Sequence, residues 1–161
     1  MKKPPIKRNE NIVKLSKDHH ASLMFCWKLR QGIKHHVDEK RMIAYVEYFW
    51  NQHFAEHFRE EEGILFAPLH DDLVKKAIAD HRQVEVFIKT LSESTEKDPY
   101  ATLATLADLV DEHVRYEERI LFPHLEKELS ENQLEEIGKQ LPDVAIKDNY
   151  EDAFWIRDNS L

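Results

Sequence analysis

Two stretches of the chain, HFREEEGILF at 57–66 and HVRYEERILF at 113–122, share the pattern H-x-x-x-E-E-x-I-L-F. In each, a histidine precedes a glutamate by four residues, which on an α-helix puts both on one face, about 6 Å apart along the axis. Apolar residues around them recur at helical spacing, so this is also the face the chain must bury. Any fold of this sequence therefore has to take histidine and glutamate into its core, twice and by the same device. The doublet Asp-His recurs too, at 18–19 and 80–81. The chain reads as internally duplicated, each half supplying one lone histidine and one His/Glu pair.

Four segments carry the apolar spacing. The first runs from Asn11 to Ile33, with Ile12, Leu15, Leu23, Cys26 and Leu29 on one side and Gln31-Gly32 marking its end. The second starts after Asp38, an N-cap, and carries Ile43, Val46 and Trp50 toward the first repeat. The third opens near His70-Asp71-Asp72 and shows Val74, Ala77, Val84, Ile88 and Leu91. The fourth opens at Asp98-Pro99, an N-cap with proline at the first helical position, and carries Leu103, Leu106 and Val110. Only three glycines occur in 161 residues, which favours long helices over turn-rich sheets. Short connections make sequential helices antiparallel. The expected fold is all-α, an antiparallel up-down-up-down four-helix bundle with a short additional C-terminal helix, Glu131 to Leu141, opened by a Ser130/Gln133 capping box.

The chain length suits one domain. We divide it into a basic flexible tail at 1–10, the bundle at 11–129, and a C-terminal helix and tail at 130–161 packed on the bundle through Phe154 and Trp155. The net charge of −8 argues against nucleic acid as a partner. The N-terminus lacks the apolar stretch of a signal peptide and no apolar run is long enough to span a bilayer, so a cytoplasmic protein without membrane attachment is expected. Cys26, the only cysteine, sits in the apolar run SLMFCW and reads as a buried, inert thiol.

The polar members of the stripes carry the chemistry. His81 fills the one polar slot in the series 74, 77, 81, 84, 88, 91. The series 103, 106, 110 continues to His113 and Glu117, the series 43, 46, 50 to His53, His57 and Glu61, and His19 lies in the seam of the first helix. Burying such groups without partners costs about 1–3 kcal/mol each. A single core histidine is usually structural, but four at seam positions with two paired glutamates point to metal. His19, His57, Glu61, His81, His113 and Glu117 make a two-fold set for two ions, each with two imidazoles and both carboxylates bridging. Imidazole and carboxylate without thiolate fit iron, with manganese or zinc as alternatives. His53 is open between a further ligand, a proton relay and a polar residue at the mouth of the site. His20, His35, His36, His70 and His124 fall off the seam or near helix ends, and the remaining glutamates of REEE and YEER, Glu60, Glu62 and Glu118, read as solvated faces.

The ordered set LSKDHH, HFREEEGILF, DHRQVE and HVRYEERILFP resembles the hemerythrin-like, or HHE cation-binding, family over residues 11–129. That resemblance implies an antiparallel four-helix bundle holding a non-haem di-iron centre, with the same six residues as ligands. Oxygen-carrying members have a fifth histidine where this chain has Ala77, and aspartate near where it has Glu117. The four-His, two-Glu pattern is more similar to the family's intracellular branch, which includes iron-responsive regulators and proteins implicated in repairing damaged iron centres. Two functions follow from the resemblance. One is a di-iron module that binds or senses dioxygen, nitric oxide or iron, signalling through a protein partner. The other is a di-iron enzyme of oxidative or nitrosative stress, reducing nitric oxide or peroxide or repairing iron centres, with His53 or Tyr116 as relays.

Overall fold

The computed structural model describes residues 7–93, 97–144 and 146–156. Its helices are α1 (Val13–Lys34), α2 (Glu39–Phe49), α3 (Ala55–Glu60), α4 (Asp72–Ser92), α5 (Pro99–Tyr116), α6 (Phe122–Glu128) and α7 (Glu131–Gln140). α2 and α3 are one rod, joined by a π-helical turn at Trp50–Phe54 and finished by another at Glu61–Leu65. A third such turn, Glu117–Leu121, joins α5 to α6. Four rods result, with α7 as the additional helix. Contacts step in opposite senses along neighbours: His19 meets Glu117 while Arg30 meets Asp108, and Asp80 meets His113 while Leu73 meets Tyr116. The bundle is antiparallel, up-down-up-down, and α1 closes against α5.

The helix starts follow from side-chain caps. Asp38, Asp71 and Asp98 accept from the backbone of Lys40, Val74 and Ala101, Pro99 opens α5, and Ser130 and Gln133 form a reciprocal capping box on α7. The end of α1 differs from expectation. The helix continues through Gly32 to Lys34, and the turn is made at His36, whose φ is 52°. Gly32 serves packing instead, since a Cβ there would lie 2.5 Å from Met42 Sδ and 3.0 Å from Phe154.

The second rod also departs from the expected stripe. Ile43 and Trp50 only flank the core, and the buried line runs Tyr45, Phe49, His53, His57, Glu61, Leu65, in steps of four. In a regular helix each such step runs about 40° ahead, so the line would wind off the core face. The wider π turns take up that excess and keep it facing inward. On α1, likewise, Phe25 is buried where Leu23 is only partly so.

The apolar core has two parts. At one end Phe25, Tyr45, Phe49, Phe54 and Phe58 cluster with the N-terminal half of α5; at the other, Ile12, Leu15, Leu65, Phe66, Val74, Phe122 and Leu125 pack with Leu134 and Ile137 of α7. The C-terminal segment lies on α1 and α2. Phe154 is buried against Tyr45, and Asp148 accepts hydrogen bonds from the Tyr45 hydroxyl and Lys28 Nζ. Residues 1–6 of the expected flexible tail lie outside the described residues. Arg8, placed in that tail by sequence, is instead clamped: it donates to Ser16 Oγ, Glu126 and the Glu118 carbonyl.

Candidate metal centre

Between the two apolar clusters lies a polar layer built from all four rods. His19, His57, Glu61, His81, His113 and Glu117 are each no more than 4% exposed. They form two groups that share both glutamates: His19, His57, Glu61 and Glu117, and Glu61, His81, His113 and Glu117. Within each, one donor atom per residue lies within 4.8 Å of the others. His57 and His81 bring Nε2 to 3.2 and 3.1 Å from Glu61 Oε1, and His19 and His113 to 3.1 and 2.9 Å from Glu117 Oε1.

The inner faces of these groups fit a cation better than they fit each other. Among the described residues, both oxygens of Glu61, Oε2 of Glu117 and Nε2 of His57 are buried without a hydrogen-bond partner. The His81 and His113 Nε2 atoms, 3.1 Å apart, both point to the same small volume. Buried acceptors left unpaired cost about 1–3 kcal/mol each. A cation between them would use all of those lone pairs at once.

Each imidazole is oriented from behind. His19 Nδ1 lies 2.8 Å from Glu118, His57 Nδ1 3.1 Å from Asp18, His81 Nδ1 2.8 Å from Glu62 and His113 Nδ1 3.0 Å from Asp80. Such a carboxylate fixes the tautomer that leaves Nε2 free to bind, and raises its basicity. Every one of the four stands beside a member of the layer in sequence, so the doublets Asp-His and Glu-Glu each supply one inner group and one support. Glu62 and Glu118 are therefore not solvated faces. Neither is Glu60, which is fully buried and paired to Lys14. The repetition of both doublets was the signal; the helix wheel hid it, because a neighbouring residue turns about 100° off the seam.

The electrostatics agree with a cation site. Burial opposes charge on the imidazoles, yet Glu117 and Glu118 raise His19 to about 9. Glu61 and Asp18 raise His57 to about 10, and Glu117 and Asp80 do the same for His113. His81 is raised by Glu61 and Glu62 against the same burial. Burial likewise opposes the charge on Glu117, but His113 and His19 hold it well below the usual carboxylate range. A field that pulls protons onto buried imidazoles attracts other cations too.

The π turns set the glutamates. Two of the three, Glu61–Leu65 and Glu117–Leu121, begin at one, and the amide of Phe66 and that of Phe122 reach back five residues to the carbonyls of Glu61 and Glu117. The two halves thus share backbone geometry as well as sequence.

The other sequence candidates fall elsewhere. His53 belongs to neither group; it is buried beside Phe49 with both ring nitrogens unpartnered among the described residues, and burial lowers its pKa. Tyr116 donates to the Leu73 carbonyl at 2.6 Å under the Lys76 ammonium. His124 pairs with Asp71, and His20 is exposed. Burial pushes the Cys26 thiol up to about 12, which leaves it unreactive.

A family model described as the hemerythrin HHE cation binding domain matches residues 11–125. Neither a curated protein nor a solved structure matches the chain.

Proposed function

Because the chain belongs to the hemerythrin HHE cation-binding domain family, we propose that it holds two iron ions and uses them to bind or sense a small diatomic ligand, dioxygen or nitric oxide. His19 and His57 would hold one ion and His81 and His113 the other, with Glu61 and Glu117 common to both groups. The observation that carries this reading is the set of unpartnered, buried donor atoms that converge from four rods with every imidazole oriented by its own carboxylate. Bound there, a carboxylate-bridged iron pair supplies redox-active centres without thiolate.

The protein's own residues do the rest. Phe58 stacks on the His81 ring at 3.9 Å and Phe122 on His19 at 5.3 Å, which fixes the rings and keeps water from the layer. Asp18, Asp80, Glu62 and Glu118 hold the Nδ1 protons. Signalling to a protein partner and a cytoplasmic setting are part of the proposal; among the described residues no helix is long and apolar enough to cross a membrane.

Elemental analysis of the purified protein should find two iron ions per chain. Absorption spectra of the anaerobically reduced protein, before and after dioxygen or nitric oxide, then divide the functions. A stable ligand complex supports binding, continuous consumption of the gas supports an enzyme, and spectra that do not depend on metal overturn the reading.

A further inference from the structure

Behind the four carboxylates stands a further layer, and there the two halves part. Each carboxylate that supports an imidazole also meets a cation: Lys14 on Asp18, Arg8 on Glu118, Lys76 on Asp80 and Arg82 on Glu62. The carboxylates themselves do not sort by half, with side-chain exposures of 2% and 27% for Asp18 and Glu118 against 15% and 20% for Asp80 and Glu62. The cations do. Arg8 and Lys14 are 4% and 15% exposed, whereas Lys76 and Arg82 are 55% and 60% exposed.

The buried pair is further tied down. Arg8 reaches Glu126 at 2.5 Å and Ser16 at 3.2 Å and lies over the Phe122 ring, and Ser16 in turn donates to Glu118 at 2.8 Å. Lys14 is shared between Asp18 and the fully buried Glu60. On the other side the Lys76 and Arg82 head groups stand largely in water.

From this layer we infer that the two positions release their ions at different rates: the ion between His19 and His57 is retained, and the ion between His81 and His113 is exchangeable. The inference rests on the two-ion reading above. For an ion to leave, its imidazoles must swing away and water must reach the vacated nitrogens, which requires the supporting carboxylates to move. Carboxylates paired with buried cations, themselves fixed by Glu126 and Glu60, cannot move without breaking an ion pair in a poorly hydrated setting. Those met by exposed ammonium and guanidinium groups can, since such pairs are screened and exchange partners with water at little cost.

The test uses the full chain loaded with cobalt(II), whose visible absorption reports its coordination, and chased with excess chelator. The expected trace has a fast and a slow phase of equal amplitude. Arg8→Ala should accelerate the slow phase by about 10–100-fold, the range that loss of such supporting contacts costs a metal site. Arg82→Ala should leave the slow phase as it is. Because Arg8 is buried, Glu126→Gln, which loosens Arg8 without removing it, provides a milder version, and Arg8→Lys should restore part of the slow rate. A single phase in the parent protein overturns the inference while leaving the two-ion centre standing, and so does an Arg8→Ala effect confined to the fast phase. A chain that takes up no cobalt, manganese or iron removes the centre itself.

Discussion

His57 and His113 meet the same chemistry from two sides of the bundle, each with Nε2 against a shared glutamate and Nδ1 against an aspartate. One residue before that glutamate the likeness ends. In the first half the position is Glu60, buried and gripping Lys14; in the second it is Tyr116, which donates to a backbone carbonyl and offers its ring to Lys76. The chain ends add to the difference, because Arg8 closes over Glu118 and the segment carrying Asp148 and Phe154 lies on α1 and α2, both of the first half. A duplicated sequence can thus repeat a set of buried polar groups without repeating its surroundings, since those groups are specified by local spacing and surroundings by whatever packs outside.

The largest change should come from what the halves share. Glu61→Ala removes a carboxylate common to both groups and should abolish loading of both ions, while His57→Ala and His113→Ala should each lose mainly the ion of its own half, as elemental analysis of the purified variants would show. If Glu61→Ala loads like the parent protein, the bridged arrangement is wrong. Careful removal of metal should also lower the melting temperature, because ions that bind only the folded chain stabilise it by linkage.

Next come the aspartates behind His57 and His113. Asp18→Asn and Asp80→Asn should each weaken metal affinity by about 10–100-fold in competition with a chromophoric chelator. The larger loss is expected at Asp18, which is 2% exposed against 15% for Asp80. Equal losses would mean that burial of the support does not matter.

A smaller effect separates the halves by pH. Burial works against the charge of Asp148, but the Tyr45 hydroxyl and the Lys28 ammonium outweigh it and hold its pKa below the usual carboxylate range. A depressed carboxylate contributes stability that is present above its unfolded pKa, about 3.9, and is lost as pH falls through the folded value. Acid titration should therefore release the C-terminal segment from the first half, read as a change in Trp155 fluorescence, and Asp148→Asn should remove that pH dependence.

The smallest expected effect lies at Gly63, whose counterpart in the second repeat is Arg119. A Cβ at Gly63 would meet none of the described residues within 4 Å, so Gly63→Ala should be neutral or raise stability by up to about 1 kcal/mol. Gly32→Ala, where the Cβ would meet Met42, should lower it by about 1–3 kcal/mol. Melting temperatures of the two variants check both.

Much of the molecule was legible from residue order, because the signals concerned are local. The caps at Asp38, Asp98 and Ser130 act within one turn, and stripes at three- and four-residue spacing mark the buried face of a single helix, which is enough to set His19, His57, Glu61, His81, His113 and Glu117 inward. What depended on the tertiary structure was every relation between helices. Asp18, Asp80, Glu62 and Glu118 sit beside the seam, where one helix considered by itself leaves them facing water; only a neighbouring rod brings an imidazole to them. The π turns were hidden for a related reason, since a stripe stepping by four looks like drift until packing demands that it stay on one face. Gly32 resembled a helix end until Met42 and Phe154 closed on it. The internal repeat specified a two-fold set of inner groups by spacing along each helix, and the packing of Arg8, Lys14 and the C-terminal segment across helices made its two halves unequal.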